Sequence, residues 1–378
     1  MVALAILSLL IWIGMLTLRD GFWRADVTDR SVPPLPTRLP RVVAIVPARD
    51  EAAVIAPVIA SLIAQDYRGE FRIILVDDSS SDGTADVARA AAAGSDRLTV
   101  MSATPLASGW TGKLAAVSQG ITKASGGIAP PDYLWLTDAD ITHAPDTLAS
   151  LVARASAENR VLVSLMARLR CESLAERMLI PAFVFFFQLL YPFAAINDPR
   201  RKIAGAAGGC MLVRREALEA AGGIAAIRTA LIDDCAMGAL MKRQGPIWLG
   251  LTDRSLSIRP YPHFADVGAM IARSAYAQLG YQPLLLAGTV AGMALVYLAP
   301  PLFALLGEGI ARWLGVAAWL LMALAFGPIS RFYRQSPLWG LGLPLIAAFY
   351  SGATIWSAWQ HWRGRGGLWK GRAQAALQ

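Results

Sequence analysis

Histidine and cysteine are scarce: the 378 residues hold three of each. Cys171, Cys210 and Cys235 fall at no metal-ligand spacing. An odd, scattered set excludes a disulfide framework and fits a reducing compartment around the folded part. No Cys-His or Ser-His-Asp arrangement is suggested, and His143 and His263 stand outside any cluster, so both read as loop or structural residues. Charge is thin as well. Only 16% of residues are charged against 55% hydrophobic, and mean hydropathy is +0.45. Such a chain is too apolar for a soluble enzyme and too charged for a pure membrane bundle. The net charge is +8, yet no basic run with interleaved aromatics occurs. The basic residues gather beside apolar segments: Arg19, Arg24 and Arg30; Arg200, Arg201 and Lys202; Arg363, Arg365, Lys370 and Arg372. That placement excludes nucleic acid as partner and indicates anionic lipid headgroups.

The apolar runs divide the chain. Val2 to Leu18 has neither a basic leading region nor a small-residue cleavage site, so an uncleaved transmembrane anchor is expected over 1–19. A linker stiffened by Pro33-Pro34-Leu35-Pro36 follows over 20–40, then a catalytic domain over 41–282. Apolar spans fill 283–360, at Pro283–Leu306, around Trp313–Phe326 and at Leu341–Trp359, with a basic tail over 361–378. The run from Met178 to Ile196 is also long enough to cross. A crossing there would put Asp140 and Asp234 on opposite sides of the membrane, impossible if both serve one site. An interfacial helix over 178–196, interrupted by Pro181 and Pro192, is therefore expected.

Between Arg41 and Met166 short β-branched runs alternate with Ala-rich stretches. Val42–Val46, Ile73–Val76, Leu98–Val100 and Tyr133–Leu136 read as strands, and Ala53–Gln65 and Asp82–Ala93 as helices. Continuous rather than alternating apolar strands imply a parallel sheet covered on both faces. The expected class is α/β, a Rossmann-like nucleotide-binding domain between membrane segments.

Acidic residues mark the ends of these strands. Asp77 and Asp78 open the turn Ser79-Ser80-Ser81-Asp82-Gly83-Thr84, where carboxylates can accept hydrogen bonds from a base or ribose. Asp138 and Asp140 are two residues apart just past a strand, a spacing that reaches a divalent cation; oxygen donors favour Mg²⁺ or Mn²⁺ bridged to a diphosphate. Asp233 and Asp234 precede a helical stretch, and one can act as a general base or simply cap the helix. Gly205 to Gly209 admits close backbone approach or a tight turn, and Lys113 lacks P-loop spacing but can neutralise a phosphate.

Val46-Pro47-Ala48-Arg49-Asp50-Glu51, Val76 to Thr84, Gly112-Lys113, Asp138-Ala139-Asp140, Gly208-Gly209 and Asp233-Asp234 together resemble family 2 glycosyltransferases of the GT-A fold. The membrane-flanked layout is also similar to ceramide glucosyltransferases. Gly109-Trp110-Thr111-Gly112-Lys113 and the terminal spans resemble bacterial hopanoid-associated glycosyltransferases more closely. The resemblance implies a nucleotide-sugar donor and a membrane-lipid acceptor. It places Pro47, Ala48, Glu51 and Asp78 (or Asp77) around uridine and has Lys113 help place the nucleotide. It gives ribose or metal-bound water to Asp138, the metal to Asp140 and the base role to Asp234. Gly208, Gly209, Asp233 and Arg273 are further candidates for substrate or phosphate. Arg273 begins Arg-Ser-Ala-Tyr-Ala-Gln, without the Arg-Trp pair of processive relatives, so single-sugar transfer is expected. The implied location is the bacterial cytoplasmic membrane, multi-pass, with the catalytic part in the cytoplasm. Three C-terminal crossings would export the basic tail against the positive-inside tendency, and the sequence leaves that conflict open.

Overall fold

The computed structural model describes residues 1–126 and 129–366, with the backbone of 368–369 and 372–373. Lys370 of the expected basic tail lies outside the described residues. The chain folds as two compact units. One comprises Val27–Leu169, Ala195–Arg259 and the chain from Leu368; the other comprises Met1–Asp26, Arg170–Ala194 and Pro260–Gly367. The stretch expected as one catalytic segment, 41–282, is thus shared between them.

The first unit is built on an eight-stranded sheet: β1 (Val42–Ala48), β2 (Phe71–Asp77), β3 (Leu98–Ser102), β4 (Tyr133–Thr137), β5 (Ile141–His143), β6 (Leu162–Arg168), β7 (Cys210–Arg214) and β8 (Ile247–Ser257), in the order β3-β2-β1-β4-β7-β6-β8-β5. Every residue of β1 is buried, as a central strand of a doubly covered sheet requires. β1 runs parallel to β2 and β4, and β2 to β3. The expectation of a parallel sheet needs correction beyond β4. β7 is antiparallel to both β4 and β6, and β5 is antiparallel to β8. β5 follows β4 after only Asp138, Ala139 and Asp140, yet it pairs with β8 at the edge of the sheet and not with β4. The acidic pair lies in that short link.

The expected helices form over Ile55–Ile63 and Thr84–Ala91, shorter at both ends than the sequence pattern suggests. A third helix, Gly112–Ser125, lies close on the sheet because Gly120 has no side chain. A β-carbon there would meet Ile45 Cγ2 at 2.6 Å and Val76 Cγ2 at 3.0 Å. Gly120→Ala is expected to lower the thermal midpoint. Overpacking costs about 1–3 kcal/mol, outweighing the roughly 1 kcal/mol that alanine contributes as a helix former. A midpoint at or above that of the parent would contradict this packing. Part of the expected linker is also folded: Thr28 bridges Leu251, and the Asp29 amide donates to the Leu251 carbonyl at 3.1 Å.

In the second unit three helices, Pro283–Leu306, Gly309–Phe332 and Pro337–Trp362, are long and apolar enough to cross a bilayer. The helix Val2–Leu18 is shorter but equally apolar. Leu284, Leu306, Trp313, Leu324 and Leu345 stand exposed on these helices, as lipid-facing positions do. Within the same unit, the stretch expected to be interfacial forms Leu174–Leu190, with Pro181 inside it. Its start is a capping box: Ser173 Oγ accepts the Glu176 amide, and the buried Glu176 carboxylate accepts the amides of Ser173, Glu172 and Tyr261.

Candidate active site

The ends of β1 and β2 are tied together by a dense polar turn. The Asp78 amide donates to the Ala48 carbonyl at 2.8 Å, so the two strand ends stay in register just where they stop. Arg49 donates to the Asp78 carbonyl at 2.5 Å and lies 3.7 Å from its carboxylate, which is buried. Asp77 points back into its own turn, accepting from the Ser80 amide at 3.2 Å and from the Ser80 hydroxyl. Asp82 accepts the amides of Ala52 at 2.9 Å and Thr84 at 3.0 Å. Desolvation opposes its charge, but bonds from the Thr84 hydroxyl and these amides win and lower the Asp82 carboxyl below its usual range. Asp82 thus satisfies the amide of Thr84, the first residue of the helix Thr84–Ala91, from outside that helix.

Lys113 enters from the start of helix Gly112–Ser125, whose first turn is capped by Thr111 Oγ1. Its ammonium lies 2.8 Å from Asp138 Oδ1 and 3.0 Å from Asp233 Oδ2. Three separate stretches of sequence thus meet at one cation. Burial alone would lower the Lys113 pKa, but the charges of Asp138 and Asp233 reverse that and raise it, so the ammonium stays charged. Pro47, Thr137, Asp138, Gly208 and Asp233 line one small pocket with Lys113, and Met237 and Ile227 form part of its apolar wall.

Asp233 and Asp234 are the first two residues of helix Asp233–Lys242, where backbone amides favour negative charge. Asp234 accepts the Cys235 amide at 2.7 Å and the Gly208 amide at 3.2 Å. A β-carbon on Gly208 would sit 3.5 Å from Lys113 Nζ and 3.4 Å from Asp234 Cβ, ordinary contact distances that put this loop directly against both side chains. Desolvation, reinforced by the adjacent charge of Asp233 and opposed by Lys113, pushes the Asp234 carboxyl up to about 6. A carboxylate in that range is ionised at neutral pH and still able to take a proton.

Asp140 lies at the far end of the link from β4 to β5. Its carboxylate accepts Arg259 Nε at 2.7 Å, and the same guanidinium grips both oxygens of buried Glu51 at 2.7 and 2.8 Å. Burial raises the Asp140 pKa; Arg259 pulls against that and Asp138 adds to it. Arg259, directly after β8, is the main residue that sequence reasoning misses. Its only signal was charge: strand ends rich in carboxylates need a nearby counter-cation. A second omission is the buried chain Thr137–His143–Ser255, with His143 Nε2 at 2.9 Å from the Thr137 hydroxyl and Nδ1 at 2.9 Å from the Ser255 hydroxyl. Burial drives the His143 pKa down to about 3, so it is a neutral structural residue of β5. Gly209 joins this chain through its carbonyl, which accepts from Thr137 at 2.9 Å. Arg273 belongs to the other unit. It is exposed and ends the helix Phe264–Ala272, in the unit of apolar helices.

A mixed sheet whose strand ends gather acidic residues beside a lysine defines a GT-A-like fold. The mannosyltransferase PcManGT from Pyrobaculum calidifontis, solved with GDP-Man and Mn²⁺, superposes with a TM-score of 0.54 at 22% identity, over 95% of this chain and 99% of that one. Residues 43–222 match the model of Glycosyl transferase family 2. An N-acetylglucosaminyltransferase of Rhizobium leguminosarum bv. viciae is 36% identical over 114 residues, 30% of this chain but only 25% of that protein's length. Glucosyl-3-phosphoglycerate synthase of Mycobacterium tuberculosis is more distant, at 18% identity and a TM-score of 0.42 over 68% of this chain and 87% of that one.

Proposed function

We propose that this protein transfers a single sugar from a UDP-sugar to the hydroxyl of a membrane lipid, of hopanoid or related type, with inversion at the anomeric carbon. The observation that carries this reading is the meeting of Asp138, Lys113 and Asp233 beside Asp234. Pro47, Ala48, Glu51 and Asp78 hold the uridine; Asp77 supports them by fixing the Ser80 turn. Asp138 takes the ribose, and Lys113, with Gly208, Gly209 and Asp233, positions the sugar diphosphate. Asp234 accepts the proton of the acceptor hydroxyl while that oxygen attacks the anomeric carbon. The bond from that carbon to the phosphate oxygen breaks, and the nucleotide diphosphate departs.

The donor set suits a hard divalent ion. Glu51, Asp138, Asp140 and Asp233, with Asp234 beside them, outnumber Lys113 and Arg259, the cations paired with the first four. Among the described residues, no three His, Cys, Asp or Glu side chains gather into a closed metal cage. Asp140, with Asp138 two residues before it, would hold such an ion. Mg²⁺ or Mn²⁺ there supplies charge neutralisation for the leaving diphosphate. The reading sets the reaction at the cytoplasmic face of a bacterial inner membrane, and the three apolar helices long enough to cross a bilayer support the membrane part of it. No nucleic acid takes part.

The mannosyltransferase solved with GDP-Man favours a second donor reading, with guanine in place of uracil. Labelled UDP-sugars and GDP-mannose, each incubated with the protein, Mn²⁺ and a lipid extract, decide between them. Label passing into lipid from a UDP-sugar is expected. Transfer from GDP-mannose alone moves the donor to guanine. No transfer from any donor overturns the reading. A product that keeps a phosphate after mild extraction identifies a polyprenyl-phosphate acceptor instead.

A further inference from the structure

Among the described residues, Arg259 is the one guanidinium that holds both a residue assigned to the nucleotide and the residue assigned to the metal. It grips Glu51 through Nη2 at 2.7 and 2.8 Å and Asp140 through Nε at 2.7 Å. Glu51 is buried and the Asp140 side chain is only 15% exposed, so little water screens either contact. The two bonds are chemically unequal. Each uses one nitrogen, Nη2 shared between the two Glu51 oxygens and Nε on a single Asp140 oxygen, so the Asp140 contact can break while Nη2 stays on Glu51.

Resting on the assignment of Asp140 as metal ligand, we propose that Arg259 is a resident counter-cation which a divalent ion displaces from Asp140 while the guanidinium stays on Glu51. The ion and Nε compete for the same carboxylate. Metal entry then frees one face of Arg259 without unseating it, and turns it toward an incoming anion such as a diphosphate. Without metal, the same arginine keeps Glu51 and Asp140 from repelling each other, so the empty site holds its shape. Arg259 acts in this scheme as a positioning residue: it sets the threshold at which metal binds and links metal occupancy to the nucleotide end of the site.

The test reads metal alone. Mn²⁺ binding to the full chain in detergent is followed by the electron paramagnetic resonance of free Mn²⁺, without nucleotide. Arg259→Met removes the competitor and is expected to tighten Mn²⁺ binding at least about tenfold, since a whole cation leaves a poorly screened carboxylate. A purely structural arginine would give weaker or unchanged binding, and that result overturns the proposal. Should R259M fail to fold, Arg259→Lys takes its place. An ammonium cannot reach both carboxylates as the fork does, so tighter binding again supports competition and equal or weaker binding again overturns it. Asp140→Asn separates the two levels. If D140N binds Mn²⁺ as the parent does, the metal assignment fails; if D140N loses the ion while R259M gains nothing, only the competition fails.

Discussion

Asp234→Asn is expected to reduce sugar transfer by about 10²–10⁴-fold, the usual contribution of a positioned general base, while donor binding stays close to that of the parent. The amide keeps the size of the carboxylate and one acceptor for the Gly208 or Cys235 amide, so the loop and helix remain joined. The pH profile gives an independent signature. With the carboxyl pushed up to about 6, turnover in the parent rises with pH through that value and levels off above it, because the ionised form is the base. D234N shows no such limb. The same shift acts on stability. A carboxyl that holds its proton more tightly folded than unfolded contributes stability below its unfolded pKa and loses that contribution as pH rises toward 6. D234N is therefore at least as stable as the parent at pH 7, relative to their difference at pH 4. A variant that unfolded at neutral pH, or retained turnover, would contradict the assignment.

Lys113→Met carries the second large effect. It strips the cation from between Asp138 and Asp233, which lie 2.8 and 3.0 Å from it, and leaves their repulsion uncompensated. Donor affinity is expected to fall by about 10–100-fold, as befits the loss of a charge-assisted contact to phosphate. Because Lys113 opposes the upward shift of Asp234, its removal also moves the acid limb of the pH profile above 6. Lys113→Arg, which retains the charge, keeps the limb near that of the parent. The limb position is the useful reading, since a mere packing defect would lower activity without moving it. An unshifted limb in K113M would show that lysine and aspartate do not share one site.

The sequence made the strand ends legible because acidic residues at the close of apolar β-branched runs are both rare and local. Asp77, Asp78, Asp138 and Asp140 could be placed that way, and so could the glycine loop before β7. The class of fold followed from the same alternation. What stayed hidden was non-local. β7 and β5 run antiparallel to their neighbours through pairing across the sheet, which periodicity does not encode. Arg259 pairs with Glu51 across 208 positions and with Asp140 across 119. No spacing rule reaches that far. The helix Leu174–Leu190 was legible as apolar, and its conflict with a single site was legible too. Its capping by Ser173 and Glu176 and its grouping with the terminal helices needed the fold. Asp77 and Asp78 were equivalent in sequence; only the Ser80 turn separates them.

Mass spectrometry of membrane lipids from cells carrying the parent chain, D234N, or neither tests the central claim most directly. A lipid heavier by one sugar residue is expected with the parent alone. The same glycolipid in the D234N cells, or no difference among the three, would contradict the account.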